Sequence, residues 1–146
     1  MKALIQRVSA ASVRVDNQIV GQIEQGILAY IGLGPEDTLK SAQKMIDKIL
    51  GYRIFDNDAG KLDKNVQQVA GGLLLVSQFT LMAKTDKGRR PDFGGAMPPA
   101  QASELFKQMI DYAKQQHDKV ATGEFGANML VQADNDGPLN FILEIS

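Results

Sequence analysis

The chain has 146 residues, of which 44% are hydrophobic and 23% charged, and its net charge is −1 at pH 7. These values suit one compact domain spanning residues 1–146 that buries roughly 68–70% of its unfolded surface, and they exclude a wholly disordered or collagen-like chain. With 16 basic against 17 acidic side chains, the protein is not built for non-specific binding along nucleic acid, which runs on phosphate neutralisation, so any such contact must be local.

In chain order, the first third reads as short strands. Ala3 to Val8 is mostly apolar, and Ser12-Val13-Arg14-Val15 alternates. Asp16-Asn17 supplies turn chemistry, Ile19 to Ile23 resumes the pattern, and Ile27 to Ile31 follows Gly26. From Glu36 to Leu50 the period changes. Leu39, Ala42, Met45, Ile46, Ile49 and Leu50 share one face of a helix, with Gly34-Pro35 as the start signal and Gly51 as the stop. Arg53-Ile54-Phe55 suits a short strand, and Asp56 to Gly60 a turn. Leu73 to Thr80 opens fully apolar, as a buried strand would. Lys84 to Pro99, rich in Gly and Pro, reads as a long loop of the kind that is functional or disordered. A second amphipathic helix runs from Gln101 to about His117, with Ala102, Leu105, Phe106, Met109, Ile110 and Ala113 on its apolar face. Two strands close the chain, Met129 to Ala133 and Leu139 to Ile145, joined by a turn at Asp134 to Pro138. About eight strands and two long helices give an α+β fold, with a curved, barrel-like, antiparallel-rich sheet and the helices packed on it.

The absences narrow the chemistry. The chain has no cysteine, no tryptophan and one histidine, His117. Disulfides, iron–sulfur clusters, thiolate nucleophiles and Cys-based zinc sites are excluded, and any imidazole base would have to be His117. Its setting, Lys114-Gln115-Gln116-His117-Asp118-Lys119, reads as a solvated helix terminus. Asp56 to Gly60 fails as a calcium loop, because Lys61 and Gln67 stand where that pattern needs Gly and Glu. Gln6 and Arg7 interrupt the N-terminal apolar run, so no export signal is expected and the cytosol is the expected compartment. No apolar stretch approaches the ~18–20 residues of a membrane helix, so no membrane partner is expected.

Three segments could carry function. Lys84, Lys87, Arg89 and Arg90 form a basic cluster in the long loop, either a plain polar loop or a phosphate clamp for a nucleic-acid end. Ser77-Gln78-Phe79-Thr80 puts polar groups where a buried strand leaves the core, either a strand end meeting water or an oxyanion site. Asn135-Asp136-Gly137-Pro138 is a turn by composition. Its Gly-Pro bond could be cis at small cost, making it a rigid recognition element.

Ser77-Gln78-Phe79-Thr80-Leu81 and Asn135-Asp136-Gly137-Pro138 together resemble the two signature motifs of the D-aminoacyl-tRNA deacylases, also called D-tyrosyl-tRNA deacylases. Gln6-Arg7-Val8, Leu50 to Phe55, Asn65 to Gln68, Arg90-Pro91 and Thr122 to Met129 are similar in order and spacing, so the resemblance covers the whole chain. One departure is visible: the family usually continues Gly-Pro with Val-Thr, whereas Leu139-Asn140 stand here.

The resemblance implies hydrolysis of the ester joining a D-amino acid to the 3′ end of tRNA, a proofreading step in translation. It implies a homodimer and neither cofactor nor metal. Ser77, Gln78, Phe79 and Thr80 would form the catalytic strand end. Gly137 and Pro138 of one subunit would enter the other subunit's pocket and exclude L side chains, with Arg7 holding them and the backbone of Ala100 making a further contact. Glycyl-tRNA, lacking a side chain, would also be accepted. Phe125 and Met129 would flank the terminal adenine, and the ribose 2′-OH would assist in place of a protein base. The competing reading is a non-catalytic binding module for RNA or DNA ends.

Overall fold

The computed structural model describes residues 1–146. The elements are β1 (Lys2–Val15), β2 (Gln18–Ile23), β3 (Gly26–Gly32), α1 (Leu39–Gly51), β4 (Phe55–Asp56), β5 (Leu62–Lys64), β6 (Gly72–Ser77), a 3-10 turn (Phe79–Met82), α2 (Pro99–Gln116), β7 (Val120–Thr122) and β8 (Leu130–Glu144).

β1 organises the sheet. Along one edge it pairs antiparallel with β3 through Lys2–Val8 and with β2 through Ala11–Val15, and along the other with β8. β3, β6 and β7 continue the sheet in parallel, so the barrel-like sheet is mixed, with antiparallel pairing predominating as expected. β2 curls round to β7, and a Cβ added to Gly21 would lie 2.1 Å from the Thr122 carbonyl oxygen. Glycine at 21 permits that approach, which nearly closes the barrel.

Strand alternation explains the two cores. Ile27, Ala29 and Ile31 of β3 and Leu73 and Leu75 of β6 face the helices, where they meet Met45, Ile46 and Ile49 of α1 and Phe106 and Met109 of α2. The intervening Leu28, Leu74 and Val76 point into the barrel with Val8, Ala11 and Val13 of β1. Both faces of β3 and β6 are therefore buried, which is why their sequences run continuously apolar. Each fully buried aliphatic side chain contributes about 1.5–3 kcal/mol.

Several boundaries differ from the sequence reading. Residues 3–8 and 12–15 belong to one long, bulged strand. α1 begins at Leu39 rather than Glu36, because Asp37 turns back to accept the Gly34 N–H at 2.6 Å and Thr38 caps the helix reciprocally with Ser41. The Arg53–Phe55 strand lies slightly later, as β4, in a small hairpin with β5. β6 ends at Ser77, where the chain turns into the 3-10 segment instead of extending to Thr80. α2 begins two residues before Gln101, with Pro99 in its first turn, where a missing N–H costs nothing.

The two closing strands are one strand, β8. It stays paired with β1 on both sides of Asn135–Asn140, so the segment read as a hairpin turn is a bulge inside a continuous ladder. His117 is not solvated. It is buried at the end of α2, and Nε2–H donates to the Gly71 carbonyl at 2.7 Å. No helix is long and apolar enough to cross a membrane.

Candidate active site

The end of β6 opens into a cleft of about 590 Å³. Ser77, Gln78 and Phe79 form one wall, and Phe125, Asn128 and Met129 another. The returning limb of the long loop supplies Phe93, Met97, Pro98 and Pro99. None of the lining residues is ionisable.

The walls are held from behind. Phe125 rests against Phe106 of α2 at a centroid separation of 6.1 Å, and Met129 packs on the barrel core. Phe79, 57% exposed, meets Phe93 edge-on at 5.2 Å. Met97 is buried and its N–H donates to the Leu33 carbonyl at 2.9 Å, which ties the loop to the end of β3.

The strand end presents free donors. The Gln78 N–H is used by the Ile31 carbonyl at 2.7 Å. The N–H groups of Phe79 and Thr80 open the 3-10 turn, where no intrahelical acceptor exists, and no other group in the chain accepts from them. The Thr80 hydroxyl accepts from the Gln78 side-chain amide. An amide donor cannot remove the hydroxyl proton, so this contact does not activate Thr80 as a nucleophile. Tyr30 and Tyr112, whose pKa values are both raised, lie outside the cleft; burial pushes Tyr30 up.

The structure therefore brings together Ser77, Gln78, Phe79, Phe125 and Met129, with Thr80 joined through Gln78. Ala100 does not line the cleft but sits in the first turn of α2, between Pro99 and Ala102, which do. Phe93, Met97, Pro98 and Pro99 were missed by sequence reasoning. The available signal was two large apolar residues inside an otherwise polar, glycine-rich loop.

Arg7, Gly137 and Pro138 form a second cluster that does not line this cleft. Gln6 pairs with Asn140 and Val8 with Asn135, so Asp136 to Leu139 bulge outward opposite Arg7 alone. The Gly137–Pro138 peptide is cis, and Gly137 has φ +124°, a conformation that L side chains rarely adopt. The half-buried Leu139 packs against the main core. Leu139 thus anchors the base of the bulge from inside.

Arg7 pins the bulge. Its Nη1 donates to the Ile54 carbonyl at 3.0 Å and to Asp56 Oδ1 at 3.4 Å, and its Nε donates to the Asp136 carbonyl at 3.2 Å. The Asn135 amide donates to the Arg7 carbonyl at 3.0 Å and to the Leu139 carbonyl at 3.3 Å. Asp136, Gly137 and Pro138 remain exposed at the crest.

Comparison with known proteins places the whole chain in one family. The family model described as D-Tyr-tRNA(Tyr) deacylase matches residues 4–144. The D-aminoacyl-tRNA deacylase of Psychrobacter arcticus is 71% identical, with 99% of each chain covered. That of Acinetobacter baumannii is 57% identical, again over 99% of each. The structure of a c-Myc DNA Unwinding Element Binding Protein superposes with a TM-score of 0.96 at 38% identity, covering 100% of this chain and 99% of that one. A probable eukaryotic D-amino acid tRNA deacylase shares the fold, with a TM-score of 0.86 at 16% identity over 99% and 98% of the two chains. The chain belongs to the D-Tyr-tRNA(Tyr) deacylase family, a family of hydrolases.

Proposed function

We propose that the protein hydrolyses the ester of D-aminoacyl-tRNA, releasing free D-amino acid and tRNA in the cytoplasm, and that it works as a homodimer. The observation that carries the mechanism is a cleft with free backbone donors and no ionisable lining group. An aminoacyl ester is already activated, so positioning and oxyanion stabilisation can supply much of what its hydrolysis needs. The Phe79 and Thr80 amides would receive the developing oxyanion. The substrate's own 2′-OH would assist, and Phe125 and Met129 would flank the terminal adenine.

The second cluster supports a two-subunit site. Gly137 and Pro138 stand exposed, pinned by Arg7, and outside the cleft of their own chain. A second copy would bring them to the cleft, where their carbonyl oxygens would clash with an L side chain and spare a D side chain or glycine. The outer edge of β8 pairs with no strand, and Leu130 and Ile142 on it are 61% and 67% exposed, as an interface between copies would require.

The test is release of tyrosine from D-tyrosyl-tRNA and L-tyrosyl-tRNA at matched concentrations, with sedimentation of the same sample. Selective loss of the D ester by a dimer is the expected result. Equal loss of both esters, or full selectivity in a monomer, would overturn the cross-subunit element. A second reading, a non-catalytic module for RNA or DNA ends, draws on the DNA-binding name of the 38% identical structural neighbour. Binding with no loss of either ester would favour it.

A further inference from the structure

We infer that the hairpin between Lys84 and Asp92 grips the phosphate backbone of the RNA just beyond its aminoacylated end. The inference rests on the proposed deacylase reading and adds a substrate contact to it. The segment is not a loose loop. Lys84 and Asp92 exchange backbone hydrogen bonds, at 2.7 Å from the Lys84 N–H and 3.1 Å from the Asp92 N–H. Asp92 Oδ1 also accepts the Gly94 N–H at 2.9 Å, which locks the base of the returning limb. Phe93, the next residue, lines the cleft, so the hairpin rises from the rim of the proposed active site.

Its charge is unspent. Lys84, Lys87, Arg89 and Arg90 are exposed, and none is paired with a carboxylate. Arg7, by contrast, is committed to carbonyls and carboxylates, and Arg53 to Asp63 at 2.9 Å. Four cations against two acids, Asp86 and Asp92 at the base, make a local positive arm on a chain whose net charge is −1. The clustering of these cations at the rim of the cleft favours a polyanion here.

The reach fits. Each limb of the hairpin is three to four residues and extends at most about 10–14 Å. Phosphates along one strand of a stacked helix rise by about 3.4 Å each, so the cations can engage roughly three or four successive phosphates. Arg89 and Arg90 suit bidentate phosphate contacts, and the lysines act as point charges. Such contacts carry affinity and register rather than chemistry.

The test compares wild type with the Lys87→Ala/Arg89→Ala/Arg90→Ala variant on two substrates, D-tyrosyl-tRNA and the D-tyrosyl ester of adenosine, which lacks phosphates. Binding of uncharged tRNA against salt concentration is measured alongside. The expected result is a fall of about 3 in the slope of log affinity on log salt, one per cation removed. kcat/KM should fall by an order of magnitude or more on the tRNA substrate at low salt, with kcat/KM on the adenosine ester unchanged. An unchanged salt slope, or equal losses on both substrates, would overturn the inference. If wild type hydrolysed neither ester while the slope still fell in the variant, the RNA grip would stand and the deacylase reading would fall.

Discussion

Replacing Arg7 with methionine tests how the bulge at Gly137–Pro138 is held. Methionine keeps much of the length of the side chain and removes every donor. Two of the arginine's contacts end on Asp56 and Asp136 carboxylates that are 53% and 61% exposed, and such exposed pairs contribute about 0–1 kcal/mol each. The bonds to the Ile54 and Asp136 carbonyls remain, and a hydrogen bond from a charged group contributes about 1.5–3 kcal/mol. Losing both, with the exposed Asp136 bond at about 1.5 kcal/mol, should lower global stability by about 3–4.5 kcal/mol, read as a lower denaturation midpoint. Only the Asp136 bond holds the bulge directly, and its exposure puts it at the low end of that range. At about 1.4 kcal/mol per decade, rejection of L-tyrosyl-tRNA relative to D-tyrosyl-tRNA should weaken about tenfold. The assay is the ratio of kcat/KM values for the two esters, measured where the variant is fully folded and dimeric. A variant that is measurably less stable yet rejects the L ester as strongly as wild type would refute the anchoring argument.

Other outcomes follow from the same geometry. Thr80→Ala should retain D-ester hydrolysis to within about tenfold, because general acid–base assistance of the kind Thr80 lacks is worth about 10²–10⁴-fold; abolition of turnover with tRNA binding intact would restore Thr80 as the nucleophile. His117→Ala should lower stability by about 1–3 kcal/mol by leaving the buried Gly71 carbonyl unpaired, with kcat on D-tyrosyl-tRNA unchanged; denaturant unfolding and steady-state kinetics check the two halves. Tyr112 donates to Asp47 at 2.8 Å, and that bond to the carboxylate, with burial and the charge of Asp47, raises its pKa above 10.0. The raised value means that the contribution of this link between the helices is complete below the ordinary tyrosine pKa and is lost as pH rises through the folded-state value. The stability gap between wild type and Tyr112→Phe should therefore close in strongly alkaline solution. A gap that widens there would contradict this sign.

What local pattern determines was legible in the sequence. The faces of both long helices were correct except at Leu39, which is 41% exposed in the first turn of α1, because Ala42, Met45, Ile46 and Ile49, and Ala102, Leu105, Phe106 and Met109, meet one core at a helical period. The apolar start of Leu73–Thr80 signalled a buried strand, while Ile27–Ile31 was legible as a strand but not as one buried on both faces. What depended on distant partners was not legible. Asn135 to Pro138 has the composition of a hairpin turn, and only the pairing of β8 with β1, some 130 residues earlier, turns it into a bulge. His117 looked solvated among charged neighbours, and only the approach of Gly71 buries it. The cleft was half legible. Ser77 to Thr80 and the segment containing Phe125 and Met129 were found through their motifs. Phe93, Met97 and Pro98 join them only because the hairpin at Lys84 and Asp92 folds the long loop back over the strand end.

Chemistry supplied by backbone donors and the substrate's own hydroxyl, in a cleft without an ionisable side chain, makes the ribose 2′-OH indispensable. The most direct measurement is the single-turnover rate on D-tyrosyl-tRNA whose terminal adenosine is 2′-deoxy, beside the normal substrate, with binding of both measured. The deoxy substrate should bind as tightly and be hydrolysed slower by orders of magnitude. Equal rates on the two substrates would contradict it and require a base or nucleophile from the protein.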